Sequence, residues 1–243
     1  MCGIAGVLLT PGSVAGLEQL RAMASTLAHR GPDGEGFHTE GALGLAHRRL
    51  AIIDLSERAA QPMHSADGRY VLVYNGEIYN YRELRRELEA LGHAFRTASD
   101  SEVLLQAWVA WGPSALGRFN GMFAFALWDS VARKLVLGRD RYGIKPLYWR
   151  AGSSGLAFGS EAKALRGEGF SLDREALAEY LSFQNLFSER TLFAGIRMFP
   201  AGCWAEVSAD VPHLVRPQPY WDWHFQEADR GASDAGDLEG VHR

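Results

Sequence analysis

Residues 1–10 read MCGIAGVLLT, and this stretch decides how the rest of the chain is understood. Ile4 to Leu9 form a short apolar run ended by Thr10, Pro11 and Gly12. A run of that length, closed by turn residues, predicts a buried strand over 3–9. It has no basic flank before it and is too short for a signal core or a membrane span. Cys2 stands at its head. Trimming of Met1 would leave a residue that carries both a thiol and a free α-amine. A thiol reacts as its thiolate. An α-amine, with a reference pKa of about 7.7–8.0, can serve as the base that forms it. The alternative is a small residue buried at the start of a strand.

Beyond this strand the pattern alternates between helices and short strands. Leu17, Leu20, Met23, Ala24 and Leu27 recur at helical spacing, which predicts a helix over 17–29, and RGPDGEG (30–36) breaks it. Strands are expected near 43–48 and 70–74, and helices over 81–92 and 100–112. Ser99 or Asp100 would cap the second of these helices, and Gly112 would end it. GMFAFALWD (121–129) and KLVLGRD (134–140) read as a hairpin of buried strands. KPLYWR and LAFGSE give two more strands, and REALAEYLSF (174–183) a last helix. Grouped strands and helices predict an α+β fold with largely antiparallel sheets. From about residue 217 the composition turns acidic and Gly-rich, as in a linker or tail.

The bulk numbers exclude several functions. The chain has 243 residues, a net charge of −4 and two cysteines, Cys2 and Cys203. That charge gives no footprint for nucleic acid or an anionic membrane. Two cysteines cannot build a disulfide framework, and they suit a reducing, cytoplasmic setting. The eight histidines fall in no metal-ligand spacing. Cys203 is expected in a buried strand with no catalytic part.

Four further stretches carry chemistry. YNGEIYNY (74–81) holds Asn75-Gly76, which reads either as a tight hairpin turn or as two donors for a developing oxyanion. In AHRRLAIIDLS (46–56), strand alternation sets His47 and Arg49 on one face and Arg48 on the other. Arg49 could form an ion pair with Asp54 or a neighbour, or grip a carboxylate with paired hydrogen bonds. Asp100 could be a helix cap or the acceptor of a substrate ammonium. RDRYGIKPLYW (139–149) mixes charges that could position strands rather than react. Together these describe the parts needed to bind an amino acid and attack its side-chain amide.

MCGIAGV, HRGPDG, HRRLAIIDLS, AQPM, YNGEIYN, SDSEV, GMFAFALWD, GRDRYGIKPLYW, FGSEAKAL and LAEYLSFQ occur in the order seen in glutamine-hydrolysing asparagine synthetases. Over residues 2–224 the chain resembles their N-terminal glutaminase domain, a class II amidotransferase of the N-terminal-nucleophile hydrolase type. The resemblance implies an αββα sandwich of two antiparallel sheets between helices. It implies Met1 removal, and a Cys2 nucleophile acting on L-glutamine through a thioester to give glutamate and ammonia. Asn75 and Gly76 would form the oxyanion hole. Arg49 would hold the α-carboxylate, Glu77 and Asp100 the α-amine, and Leu50, Ile52 and Ile53 the pocket wall. No metal or cofactor is needed for this half.

The family's synthetase half uses ATP and Mg and carries an SGGxDS loop, which these 243 residues lack. The expected division is an amidotransferase domain at 1–216, then a linker at 217–243 leading to a synthetase domain supplied in cis or in trans. A homodimer stays open. So do two other readings: a silent relic of the fold kept as a scaffold or partner-binding domain, and an ammonia donor to a different acceptor.

Overall fold

A computed structural model describes residues 1–166 and 171–223. In chain order the strands are β1 (Gly3–Leu9), β2 (Gly34–Glu40), β3 (Leu43–Arg49), β4 (Met63–His64), β5 (Tyr70–Ile78) and β6 (Gly121–Asp129). They continue with β7 (Lys134–Arg139), β8 (Tyr148–Gly152), β9 (Gly155–Gly159), β10 (Arg197–Met198), β11 (Cys203–Ser208) and β12 (Gln218–Pro219). The α-helices are α1 (Leu17–Ser25), α2 (Tyr81–Ala90), α3 (Asp100–Trp111) and α4 (Arg174–Phe183). Two six-stranded sheets form, ordered β10-β8-β9-β1-β3-β2 and β12-β11-β7-β6-β5-β4. Every pairing is antiparallel.

Three apolar clusters show the layering. Ile4, Leu8, Leu43 and Leu45 of the first sheet pack on Val71, Val73, Ala126, Trp128 and Leu137 of the second. Ala5, Val7 and Ala46 pack outward on Leu20, Met23 and Ala24 of α1. Leu72, Tyr74 and Phe125 pack outward on Leu84 and Leu88 of α2 and on Val103, Leu104 and Trp108 of α3. Helix, sheet, sheet and helices therefore stack as the expected αββα sandwich. β1 is central and buried on both faces, which explains why its sequence is continuously apolar rather than alternating. Gly6 lets the Phe158 ring of the neighbouring β9 lie over β1. A Cβ at that position would run into the Phe158 ring.

The structure departs from the sequence reading in several places. Asn75-Gly76 is not a hairpin turn: both residues lie inside β5, paired with Ala124 and Phe123 of β6. Gly76 is required by that closeness, since a Cβ would collide with the Met122 carbonyl oxygen. β2 was not expected, because its Gly-rich start reads as a break; it pairs along the whole of β3, from Gly34↔Arg49 to Glu40↔Leu43. α1 stops at Ser25. The Ser25 and Thr26 hydroxyls bond back to the Ala22 and Met23 carbonyls, and a 3-10 turn at Ala28–Arg30 follows. Finally, Gln218 and Pro219, expected in a linker, pair with Trp204 and Cys203. The acidic stretch at 227–243 lies outside the described residues.

Other expectations agree. β6 and β7 form the predicted hairpin. Ser99 is the cap of α3, its side chain accepting from the Ser101 N–H. Gly92 and Gly112 follow α2 and α3 with φ of +92° and +54°. Cys203 begins β11, as expected of a strand residue, but it is half-buried against the inter-sheet core rather than buried.

Leu137 sits fully buried in that inter-sheet cluster. Leu137→Ala is expected to lower the unfolding free energy by about 2–5 kcal/mol, read by urea denaturation.

Candidate active site

The inter-sheet face changes character toward one end. On β3 the residues facing the second sheet run Leu43, Leu45, His47, Arg49; on β5 they run Val71, Val73, Asn75, Glu77. On β1 the same period puts Cys2 beyond Ile4 and Leu8. The middle of the sandwich is thus apolar, and its end is polar. A cavity of about 160 Å³ opens there, suited to a small molecule. Cys2, Arg49, Leu50, Ile52, Ile53, Asn75, Gly76, Glu77 and Asp100 all line it. Residues far apart in the chain, each selected on sequence grounds, are thereby brought to one site.

Pairing of β1 with β3 delivers the cysteine. Gly3 lies opposite Arg48, which brings Cys2 beside the residues that follow β3. The Leu50 N–H donates to Cys2 Sγ at 3.4 Å, and the thiol faces the Leu50 carbonyl at 3.6 Å. Burial raises the thiol pKa and the Leu50 N–H opposes it. With Met1 attached, the thiol is therefore held protonated, and it needs a base to react. The Arg30 Nε donates to the Cys2 carbonyl at 3.0 Å and fixes its backbone.

Asn75 is 1% exposed, and its Nδ2 has no hydrogen-bond partner among the described residues. A buried amide donor left unpaired in a cavity wall is costly unless a ligand supplies the acceptor. Arg49 does not form an ion pair with the Asp54 carboxylate. One of its nitrogens donates to the Asp54 and Ser56 carbonyls at 2.6 and 2.9 Å, which ties down the 50–56 loop. Its Nε and Nη1 make no hydrogen bond among the described residues. The Asp54 carboxylate instead accepts from the Ser56 and Ala98 N–H groups.

Asp100 is not the cap of α3 but its first residue. Its carboxylate accepts from the Tyr74 hydroxyl at 2.7 Å and the Ile78 N–H at 3.0 Å. Burial raises its pKa, and these donors pull it down. Tyr74, on the outward face of β5, thus anchors an acid at the cavity from behind. Among the described residues no group of three or more His, Cys, Asp or Glu side chains could hold a metal ion.

Three of the lining residues that escaped the sequence reading as site members carry polar groups of particular interest. Gln61 accepts from the Tyr74 N–H at 2.6 Å and donates to the Ser101 hydroxyl at 3.2 Å, so it braces β5 against α3. The second is Lys145, buried in the wall. The third is His47, whose alternation with Arg49 was the available signal. Its Nε2 lies 3.2 Å from the Tyr74 carbonyl, which requires the hydrogen on that nitrogen and leaves Nδ1 an acceptor with no partner among the described residues.

The fold and the site define a class: a two-sheet αββα domain with a cysteine at the head of a buried strand, beside a polar cavity. The chain belongs to the glutamine amidotransferase domain family, which matches residues 1–221. It is 42% identical over 241 residues to a Mycobacterium bovis protein assigned as an asparagine synthetase (glutamine-hydrolysing), covering 89% of this chain and 37% of that one. It is 40% identical over 207 residues to asparagine synthetase (glutamine-hydrolysing) 1 of Bacillus subtilis, covering 83% and 33%. The chain thus spans about a third of the length of these relatives. Among solved structures, glutamine phosphoribosylpyrophosphate amidotransferase of B. subtilis shares the fold, with a TM-score of 0.66 at 19% identity over 90% of this chain and 49% of that one. No helix among the described residues is long and apolar enough to cross a membrane.

Burial lowers the His47 pKa from 6.5 to about 3, the Arg49 charge adds to this, and the Tyr74 carbonyl opposes it. An unfolded chain takes up this proton near 6.5 and the folded one does not. The stability that His47 contributes is complete above pH 6.5 and falls as pH drops toward 3, by about 1.4 kcal/mol per pH unit. His47→Gln is expected to flatten the acid loss by that slope, read by urea unfolding between pH 6.5 and 5.

Proposed function

We propose that this chain hydrolyses the side-chain amide of L-glutamine through a thioester on Cys2, and that the ammonia released serves an asparagine-synthetase-type amidation. The observation that carries the reading is the shared cavity of Cys2 and the unpartnered Asn75 amide. It supplies a nucleophile and a vacant oxyanion donor on facing walls.

The steps follow from those groups. Once Met1 is trimmed, the α-amine of Cys2 takes the thiol proton. The thiolate adds to the amide carbon of glutamine. The Asn75 Nδ2–H and the Gly76 backbone N–H receive the resulting oxyanion. The Cys2 ammonium returns its proton to the leaving nitrogen, the C–N bond breaks and ammonia departs. Water then adds to the glutamyl thioester, the C–S bond breaks, and glutamate leaves a free thiol. Arg49, with Nε and Nη1 to spare, takes the substrate α-carboxylate. Asp100 and Glu77 take the α-ammonium. Leu50, Ile52 and Ile53 wall the substrate's carbon chain.

The acceptor reaction is assigned to a synthetase segment outside these residues, where ATP and Mg would act. The support for that acceptor is the similarity to asparagine synthetases, of which the chain spans about a third.

Cys2→Ala is expected to abolish glutamate release from glutamine while the thermal unfolding midpoint stays within a few degrees; retained turnover would remove Cys2 from the mechanism. Asn75→Ala is expected to lower kcat by about 10²–10³. A change confined to KM would show that Asn75 contributes nothing specific to the transition state.

A further inference from the structure

Lys145 lies in the turn after β7 and lines the cavity with Cys2, Asn75 and Glu77. It is 5% exposed. The backbone that presents it is clamped twice. The Asp140 carboxylate accepts from the Phe123, Tyr142, Ile144 and Lys145 N–H groups at 2.9–3.1 Å. The Arg139 guanidinium donates to the carbonyls of Lys145, Phe199 and Gly143. So much bracing holds a buried cation in one place. Yet its ammonium makes a single hydrogen bond among the described residues, to the Met1 thioether at 3.2 Å, and forms no ion pair there. A thioether is a weak acceptor. Trimming of Met1 would remove even that partner and leave the ammonium in the same cavity as the new N-terminal Cys2.

The other charges around Cys2 are accounted for. Arg30, which holds the Cys2 carbonyl, is paired with Glu161, and Glu161 also meets His29 and Lys163. Arg49 ties the 50–56 loop, and Asp140 is taken up by backbone N–H groups. Of the three carboxylates that line the cavity, Asp54 is taken up by the Ser56 and Ala98 N–H groups, and Glu77 and Asp100 would hold a nearby α-amine protonated. Arg49 and Lys145 are the cations that line the cavity with them, and of the two only Lys145 has no protein oxygen as a hydrogen-bond partner among the described residues.

We infer, resting on the glutaminase reading, that Lys145 is a positioning residue for the nucleophile: its uncompensated ammonium keeps the trimmed Cys2 in its reactive, singly protonated form at neutral pH. Thiol and α-amine together carry either two protons or one. The two-proton form bears a net positive charge and is disfavoured next to a fixed cation. The one-proton form is neutral, and either tautomer leads to the thiolate. Burial and the neighbouring Arg30 lower the pKa of Lys145 itself, and the Glu77 and Asp140 charges oppose this.

The test compares the full chain beginning at Cys2 with its Lys145→Met, Lys145→Gln and Lys145→Arg variants. Two curves are measured against pH: kcat/KM for glutamine, and the rate at which iodoacetamide alkylates Cys2, followed by mass. Both neutral variants are expected to shift the acid limb and the alkylation midpoint upward by about one pH unit. Lys145→Arg is expected to keep both near the parent. Cys203, on whose thiol Glu189 and Asp222 rather than Lys145 act, serves as the internal reference and should not move. Superimposable Cys2 curves in the neutral variants, or a shift in Lys145→Arg as large as theirs, would overturn the inference. Turnover that survives Cys2→Ala would instead overturn the glutaminase reading, while the alkylation curves still decide the role of Lys145.

Discussion

The site depends on one constraint: β1 is held between β3 and β9 and buried on both faces, so the chain's first residues have no freedom. Register then does the rest. Gly3 opposite Arg48 brings Cys2 to the end of β3, where the Leu50 N–H meets its sulfur at 3.4 Å. A slip of one residue would turn Ile4 and Leu8 out of the inter-sheet core, so the apolar packing that stabilises the sandwich also aims the thiol. Stability and function share a single structural element.

The same logic applies across the gap. On β3 and β5 the residues that fill the core continue, at period two, into the residues that line the cavity. His47 and Arg49 extend the row of Leu43 and Leu45; Asn75 and Glu77 extend that of Val71 and Val73. A polar site at the end of an apolar core is partly desolvated, which strengthens whatever hydrogen bonds a substrate makes there. The outward faces supply the bracing. Tyr74 reaches from the far side of β5 to Asp100, and Gln61 links the same strand to Ser101 of α3.

Much of this was legible in the chain. The apolar run of β1, the β6–β7 hairpin, the amphipathic α2 and the ends of α3 all follow from periodicity and terminal residues. β2 was hidden because its glycines read as a break, although Gly36 is there to admit the Gln61 carbonyl close to the strand. Asn75-Gly76 pointed to a turn by local preference, and tertiary pairing overrode it: Gly76 is needed because β6 runs too near for a side chain. For Arg49, the choice between an ion pair and a ligand clamp rested on where the 50–56 loop would fold, which the residues of β3 do not say.

By itself the sequence determined which residues could do chemistry and the periods that set each on a face. Cys2 at the head of an apolar run, and the alternation that separates Arg49 from Arg48, are local facts written in the order of residues. Only the tertiary structure decided which of them meet. The orphaned Asn75 amide, the neutral His47 and the near-bare Lys145 ammonium arise from burial and from partners 27 to 144 residues away. Such partners are set by the packing of two sheets, and no local pattern carries that information.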